Sequence, residues 1–189
     1  MSVPRPSVVF SDLDGTLVNT VPANFGAYRA ALDEVGFDLT DEIFRSTWGE
    51  DSRDFLPRIA PGLTASEVDG VRARKAELYP QFLHLTSLND ALVRVLRGLK
   101  PTASVVLVTT AKRESVASVL SAHGLADLFD HVVCGDDTAV SKPSPAPYLL
   151  ALELCGARPE DAITFEDSDA GIASARAAGI DVVRVEFTQ

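Results

Sequence analysis

The sequence contains only two cysteines, no long apolar run and no surplus of positive charge. Cys134 and Cys155 lack CxxC spacing and stand among apolar residues. We therefore expect buried free thiols and a reducing compartment instead of a disulfide framework. No segment approaches the length of a membrane span, and the first residues contain no apolar signal-peptide core. These absences predict a soluble, cytoplasmic protein.

The shortage of positive charge limits the expected partners. The 189 residues include 17 Lys and Arg against 27 Asp and Glu, a net charge of −10. We therefore expect no general affinity for nucleic acid or for acidic membrane surfaces. A small anionic ligand stays compatible with this charge, because a metal ion and a few local cations can reverse the field inside a pocket. No heptad repeat or long exposed apolar helix is evident, so a monomer is expected.

Five short apolar runs predict a parallel sheet. They are rich in Val, Ile and Phe, and they cover residues 8–11, 105–108, 132–134, 162–165 and 182–185. Near-continuous apolar runs are typical of strands that are covered on both faces. Helical periodicity separates the last four runs, at residues 115–123, 146–155 and 170–178. This alternation predicts an α/β fold with a doubly wound parallel sheet.

The interval from residue 18 to residue 87 interrupts this alternation. It contains only helix-like stretches, at 24–35, 41–46 and 66–85, and it is far longer than a βαβ crossover requires. We therefore predict an α/β core domain of residues 1–17 and 88–189 and an inserted helical cap domain of residues 18–87. The insertion follows the acidic loop after the first strand, which favours a lid over a site.

Polar side chains follow the predicted strands at their carboxyl ends, where open parallel sheets bind ligands. Asp12 and Asp14 follow the first run, Thr109 follows the second, and Glu166 and Asp167 follow the fourth. Carboxylates that converge on one edge repel one another unless a cation is present. Mg²⁺, a hard ion that prefers oxygen ligands, would remove this repulsion. The sequence therefore predicts a magnesium site at this edge.

Four segments resemble, in order, the motifs of the haloacid dehalogenase superfamily. They are DLDGTL at 12–17, VTT at 108–110, KPSP at 142–145 and FEDSDAGI at 165–172. Each motif is weak alone, but four in order at strand ends or nearby loops are specific. The inserted helical stretch and the EDSxxG form look like the branch that holds β-phosphoglucomutases and phosphoglycolate phosphatases. The resemblance spans nearly the whole chain.

The resemblance implies roles for the first motif. Asp12 would attack phosphorus and form an aspartyl-phosphate. Asp14 would protonate the leaving oxygen, later deprotonate the attacking water, and lend its backbone carbonyl to the metal. Residues two apart on an extended strand point to the same face, so both carboxylates can reach one phosphorus. Gly15 would permit the bend that follows, and Thr16 would add a hydroxyl near the phosphate.

The other three motifs complete the implied machinery. Thr109 would hydrogen-bond the transferring phosphoryl group, and Lys142 would offset negative charge as the transition state forms. Asp167 would bind Mg²⁺ together with Asp12, while Glu166 would be either a further ligand or a residue that supports the ligands. Two acidic residues in the loop before Lys142, at positions 136 and 137, receive no functional role.

The second aspartate separates the reaction classes. Members of the superfamily that break carbon–halogen bonds usually lack an aspartate there, and the phosphonate-cleaving relatives have a small residue, so Asp14 favours a phosphate ester. The mutase pattern has a histidine four residues after a threonine in the first cap helix, but here Asn24 follows Thr20. A phosphatase is therefore preferred. A sugar phosphomutase and a catalytically silent binding module on the same fold are the alternatives.

Several residues are expected to contact the small phosphorylated metabolite. The candidates are Gly15, Thr16, Thr110 and Lys112 in the core and Asn24, Arg53 and Lys75 in the cap. Lys112, three residues after Thr109, is placed to meet a distal phosphate or carboxylate. Arg53 lies near the position of the mutase cap arginine but is shifted by one residue. Trp48 and Phe55 are interpreted as packing residues.

Overall fold

The computed structural model describes residues 6–47 and 50–187, and the elements named below lie within them. The strands are β1 (Val8–Ser11), β2 (Val18–Asn19), β3 (Ser87–Leu88), β4 (Ser104–Val108), β5 (His131–Val133), β6 (Ala162–Glu166) and β7 (Asp181–Arg184). The α-helices are α1 (Val21–Asp33), α2 (Asp41–Arg45), α3 (Ser52–Ile59), α4 (Ala65–Leu78), α5 (Asp90–Leu99), α6 (Arg113–Ala122), α7 (Ala146–Cys155) and α8 (Asp169–Ala177). Two 3₁₀ segments cover Tyr79–Leu85 and Pro159–Asp161. None of the helices in this described part combines the length and hydrophobicity needed to cross a bilayer.

The chain divides into two compact units. The first contains the described residues up to Asn19 and those from Ser87 onwards, and the second contains Thr20–Thr86. The first unit is built on the parallel sheet, whereas helices form the second.

The first unit contains a five-stranded parallel sheet in the order β5-β4-β1-β6-β7. The central strand β1 pairs with β4 on one side and β6 on the other, so that Ser11 at its end lies opposite Leu107 and Phe165. The carboxyl ends of these three strands therefore meet at one edge of the sheet. Helices flank the sheet, and the predicted doubly wound α/β fold is confirmed.

The centre of the sheet is covered on both faces, and its three central strands are apolar at most positions. Phe10 and Val108 share a buried cluster with Tyr148 of α7 and with Ala175 of α8. Val9 and Val105 point to the opposite face, since successive side chains alternate along a strand, and both are fully buried. Burial of both faces explains why these runs show no polar alternation.

The edge strands depart from the expectation of two covered faces. The predicted runs 132–134 and 182–185 each begin one residue earlier in the structure, as β5 and β7. In β7, Asp181, Val183 and Arg184 are exposed, although Val182 packs against the core. An apolar run at the edge of a sheet has neighbours on one side only, which the run itself does not reveal. A second correction concerns Cys155, which is half-buried where a buried thiol was expected.

The segments that connect the two units contain strands where none was expected. Val18–Asn19 pairs antiparallel with Ser87–Leu88. Two residues are too few to produce the alternation that predicts a strand. The helix α5 was also missed, although its buried residues Leu92, Val93 and Leu96 follow helical spacing.

The second unit packs its helices around a core of its own. Buried residues of all four helices form this core, with Leu32 and Leu56 fully buried. The expected stretch 66–85 divides into α4 and a 3₁₀ segment from Tyr79, because Pro80 cannot donate a hydrogen bond within a continuing α-helix. The helix α3 was not predicted because Pro57 lies inside it, and an internal proline usually ends a helix.

Asn89 links α5 to the turn after β1. Its side-chain oxygen Oδ1 accepts from the backbone amide of Leu92 at 3.1 Å, which caps the helix, and its side-chain nitrogen Nδ2 donates to the backbone carbonyl of Thr16 at 3.2 Å. We predict that Asn89→Ala lowers the free energy of unfolding by about 1–2 kcal/mol, as for loss of other N-caps.

Urea denaturation followed by circular dichroism measures this change. Asn89→Ser is the matched control, because serine keeps a capping oxygen but loses the bond to Thr16. We expect the serine variant to unfold between the wild type and the alanine variant. Equal unfolding midpoints for all three proteins would contradict the proposed cap.

Candidate active site

The turn after β1 brings the carboxylate of Asp12 close to that of Asp167, with oxygens within 4.8 Å of each other. The amide of Asp12 donates to the carbonyl of Phe165 at 3.0 Å, and the Asp12 side chain is buried. Gly15 has a φ of +90°, and a Cβ there would stand 2.3 Å from Oδ2 of Asp167. Glycine is therefore required both by the backbone conformation and by the close approach of the second carboxylate.

Lys142 joins the ends of the three central strands. Its ammonium donates to Oδ1 of Asp12 at 2.8 Å, to Oε1 of Glu166 at 2.5 Å and to the carbonyl of Val108 at 2.9 Å. An ammonium has three protons, and each therefore has an acceptor. The Lys142 side chain is 3% exposed, so these interactions lie in a region of weak solvent screening.

Glu166 is fully buried and receives donors on both of its oxygens. Besides Lys142, Oε1 accepts from the hydroxyl of Tyr148 at 3.2 Å, while Oε2 accepts from the amide and the hydroxyl of Ser168 at 3.3 and 3.1 Å. A Cβ at Gly171 would come within 1.8 Å of Oε1, so glycine lets α8 approach the carboxylate. Because protein donors already occupy both oxygens, this geometry favours Glu166 as a support for Lys142.

Asp167 is half-buried and interacts with the first motif. Its Oδ1 accepts from the hydroxyl of Thr16 at 2.8 Å, and Thr16 is fully buried. The Thr16 hydroxyl thus directs its proton at Asp167, and its expected contact with substrate stays a prediction. Burial raises the pKa of Asp167, while the Thr16 hydrogen bond opposes the shift.

The carboxylates at this edge fit a hard divalent cation. Asp12, Glu166 and Asp167 each offer an oxygen, and these oxygens lie within 4.8 Å of one another. Burial raises the pKa of Asp12 well above its usual value; Lys142 opposes this shift, whereas Glu166 and Asp14 add to it. If all three carboxylates are ionised, Lys142, the cation that the described structure places among them, leaves a surplus of negative charge. Oxygen donors with surplus negative charge are the ligand type that Mg²⁺ prefers.

Burial would lower the pKa of Lys142, but the neighbouring groups reverse this effect. Asp12, Tyr148 and Glu166 together raise it above the ordinary value of a lysine. The ammonium therefore stays charged at neutral pH. Asp14, the fourth carboxylate of this region, is half-buried, and its backbone forms a β-bridge with Val18.

Thr109 follows β4 at the same edge and is buried. Its amide donates to the carbonyl of Val133 at 2.9 Å, and its hydroxyl oxygen accepts from the amide of Ala111 at 3.1 Å. The hydroxyl proton is therefore available to another acceptor. Thr110 and Lys112 are exposed, and Lys112 immediately precedes α6.

Asp136 and Asp137, which received no functional role, connect two loops at this edge. The amide of Arg113 donates to Asp136 at 2.9 Å, and its guanidinium donates to both oxygens of Asp137. Asp137 also accepts from the amide of Cys134 at 2.8 Å. The bonds from Cys134 and Arg113 lower the pKa of Asp137. These contacts hold the start of α6 against the loop after β5.

The cap candidates lie in the second unit. Asn24 is half-buried in α1, and its side-chain amide donates to the carbonyl of Thr20 at 3.1 Å. Arg53 is exposed in the first turn of α3, where its amide donates to the side chain of Asp51 at 2.8 Å. Neither hydrogen bond involves the cluster of Asp12, Glu166 and Asp167.

The ammonium of Lys75 lies over two aromatic rings of the same unit. It is 4.3 Å from the ring centroid of Tyr79 and 5.1 Å from that of Tyr28, distances typical of cation–π contacts. Phe55 is buried in the core of this unit, which agrees with its interpretation as a packing residue. Trp48 lies outside the described residues.

Two residues of the site were missed at the level of sequence. Tyr148 donates to Glu166 from α7, and Ser168 donates to the same carboxylate while its hydroxyl also caps α8. Ser168 lies within the fourth motif and precedes an apolar helix, so its capping role had a sequence signal. Tyr148 had none, because a buried aromatic residue in a helix is the ordinary pattern of a core.

Comparisons with known proteins agree with this architecture. The sequence model of the haloacid dehalogenase-like hydrolase family matches residues 8–185. A phosphorylated carbohydrates phosphatase of Thermotoga maritima is 31% identical over 178 residues, covering 93% of this chain and 82% of that protein. The fructose-1-phosphate phosphatase YqaB of Escherichia coli is 32% identical over 183 residues, covering 93% of this chain and 94% of that protein.

Solved structures share the fold. CbbY from Rhodobacter sphaeroides superposes with a TM-score of 0.86 at 22% identity, covering 97% of this chain and 87% of that chain. This likeness concerns the fold, whereas the family match and the two relatives above 30% identity concern descent. The chain therefore belongs to the haloacid dehalogenase-like hydrolase family.

Proposed function

We propose that this protein is a Mg²⁺-dependent phosphatase that hydrolyses a small phosphorylated metabolite through an aspartyl-phosphate on Asp12. The observation that carries the proposal is the ammonium of Lys142 held between Asp12 and Glu166 at 2.8 and 2.5 Å. Two relatives are named as phosphatases of phosphorylated carbohydrates and of fructose 1-phosphate. Their names support a phosphate monoester as the substrate class.

In the first half-reaction, a carboxylate oxygen of Asp12 attacks the phosphorus of the ester. The bond from phosphorus to the leaving oxygen breaks, and Asp14 gives its proton to that oxygen. Lys142 lies beside the attacking carboxylate and offsets the charge that gathers on the phosphoryl oxygens. The free hydroxyl proton of Thr109 donates to one of those oxygens.

In the second half-reaction, a water molecule attacks the phosphorus of the aspartyl-phosphate. Asp14, now a carboxylate, accepts the proton of this water. The bond between phosphorus and the Asp12 oxygen breaks, which releases inorganic phosphate and restores both carboxyl groups to their starting states. Lys142 stabilises the regenerated Asp12 carboxylate through the same hydrogen bond.

Asp12 and Asp167 are the residues that we propose as side-chain ligands of Mg²⁺. The hydrogen bond from the Thr16 hydroxyl goes to Oδ1 of Asp167, so we assign Oδ2 to the ion. Glu166 is assigned to hold Lys142, since both of its oxygens already accept from protein donors. When bound, the ion supplies positive charge that lowers the repulsion between the carboxylates and an anionic phosphate.

A phosphatase is preferred to the two alternatives on the basis of individual residues. Asn24, at the position where the mutase pattern has a histidine, has an amide that cannot relay a proton. A silent binding module would not require Asp12, Asp14 and Asp167 together.

We further propose that the protein acts as a cytoplasmic monomer on a free metabolite, without a nucleic acid or a membrane as partner. The net charge of −10 supports the absence of nucleic-acid and membrane partners.

Replacement of the nucleophile provides the first test. We expect Asp12→Asn to lower kcat for phosphate release by about 10⁴-fold or more, because an amide does not attack phosphorus. Release is measured with p-nitrophenyl phosphate and with a panel of sugar phosphates, phosphoglycolate, polyol phosphates and nucleotides. Asp136→Asn is the matched control, since it changes an acidic residue at the same sheet edge that has no assigned catalytic role and keeps a side-chain oxygen for the amide of Arg113. Wild-type activity that survives Asp12→Asn would rule out the covalent mechanism.

Replacement of the acid–base residue separates the two half-reactions. In Asp14→Asn, nitrophenolate should still leave, because it needs no proton, whereas hydrolysis of the aspartyl-phosphate should slow by about 10²-fold or more. Rapid mixing with p-nitrophenyl phosphate should then give a burst of one nitrophenolate per enzyme, followed by slow turnover. An alkyl phosphate should give no burst. Equal losses on both substrates without a burst would contradict the role of Asp14.

A further inference from the structure

Tyr148 is a fully buried residue of α7 that contacts both Lys142 and Glu166, which form an ion pair with each other. Its hydroxyl lies 3.2 Å from Oε1 of Glu166 and 3.1 Å from the hydroxyl of Thr164. The ammonium of Lys142 lies 5.2 Å from the centroid of its ring, and the ring packs edge-on against Phe10 at 5.8 Å. One side chain thus touches Glu166 through its hydroxyl and Lys142 through its ring.

The direction of the two hydrogen bonds follows from their partners. An ionised carboxylate only accepts hydrogen bonds, so the phenol proton is donated to Glu166. The hydroxyl of Thr164 must then donate to the phenol oxygen, because that oxygen has no second proton. Thr164 is itself fully buried. The sheet therefore orients the tyrosine hydroxyl towards Oε1 of Glu166.

Packing alone does not require a tyrosine at this position. Phenylalanine would fill the same space against Phe10 and would keep its ring face near Lys142. A hydroxyl in an apolar interior is unfavourable unless it is hydrogen-bonded. The hydroxyl therefore points to a role in its hydrogen bond with Glu166.

We infer that Tyr148 is a positioning residue that keeps Lys142 shared between Glu166 and Asp12. Oε1 of Glu166 has two donors, Lys142 and Tyr148. If the phenol is removed, the charge on this oxygen is met by Lys142 alone. The ammonium is then drawn towards Glu166 and away from Oδ1 of Asp12, where it lies at 2.8 Å in the present structure. The kinetic consequence of this inference rests on the proposed phosphatase function.

Tyr148→Phe removes the hydroxyl and retains the ring. We expect kcat to fall about tenfold, the scale of one hydrogen bond to a charged group, with KM within about twofold of the wild type. Thr164→Val is the matched comparison, because it removes a buried hydroxyl that touches Tyr148 but not Glu166, and we expect a fall of at most about threefold. Near-ultraviolet circular dichroism checks that both variants are folded.

A purely structural role predicts a different pattern. In that case Tyr148→Leu would lose activity through the lost ring, and Tyr148→Phe would restore the wild-type kcat. A wild-type kcat for Tyr148→Phe would therefore overturn the inference. A double-mutant cycle with Glu166→Gln tests the route of the effect. If Tyr148 acts through Glu166, adding Tyr148→Phe to Glu166→Gln should change kcat by less than about twofold; independent, multiplying losses would overturn the inference.

A crystal structure of Tyr148→Phe separates this inference from the proposed function. We expect the distance from Nζ of Lys142 to Oδ1 of Asp12 to exceed hydrogen-bonding range, beyond about 3.5 Å. Retention of both contacts of Lys142 would overturn the inference even if the wild type released phosphate. A wild type without phosphatase activity would instead refute the proposed function, while the change in this distance would still support the positioning role.

Discussion

The buried ammonium of Lys142 is the interaction on which the remainder of the site depends. It donates to Asp12 after β1, to the carbonyl of Val108 at the end of β4 and to Glu166 at the end of β6. Removing one partner of such a buried ion pair leaves an uncompensated charge, which costs about 3–5 kcal/mol. The positions of the three central strands and the charge state of Asp12, the proposed nucleophile, are thus linked through one side chain.

The carboxylates around Lys142 differ in what surrounds them, and this difference separates their roles. Glu166 is enclosed by donors from Lys142, Tyr148 and Ser168, so its charge is used to hold other groups. Among the described residues, the side-chain donor to Asp167 is Thr16, and its hydroxyl reaches Oδ1. The two adjacent acidic residues of the fourth motif therefore differ in role. Glu166 holds the ammonium of Lys142, and Asp167 is the proposed metal ligand.

The sequence predicted the sheet and the residues at its carboxyl edge because both follow from local patterns. Apolar runs mark the central strands, and the polar residue after each run marks the edge. The side-chain hydrogen bonds of the site were not predictable, since they join residues far apart in the chain. Thr16 bonds to Asp167, and Tyr148 bonds to Glu166. The exposure of edge strand β7 and the formation of helix α3 around Pro57 could not be predicted from local patterns either, because tertiary packing decides both.

The central claim is that one ammonium cannot balance the buried carboxylates, so that a divalent cation completes the site. Urea unfolding in MgCl₂, compared with NaCl and a chelator at equal ionic strength, tests it without any assay of activity. The account predicts that Mg²⁺ raises the free energy of unfolding of the wild type, by about 2.7 kcal/mol at 100 times the dissociation constant, and that Asp167→Asn loses most of this gain. Superimposable unfolding curves with and without Mg²⁺, or a full gain in Asp167→Asn, would contradict it.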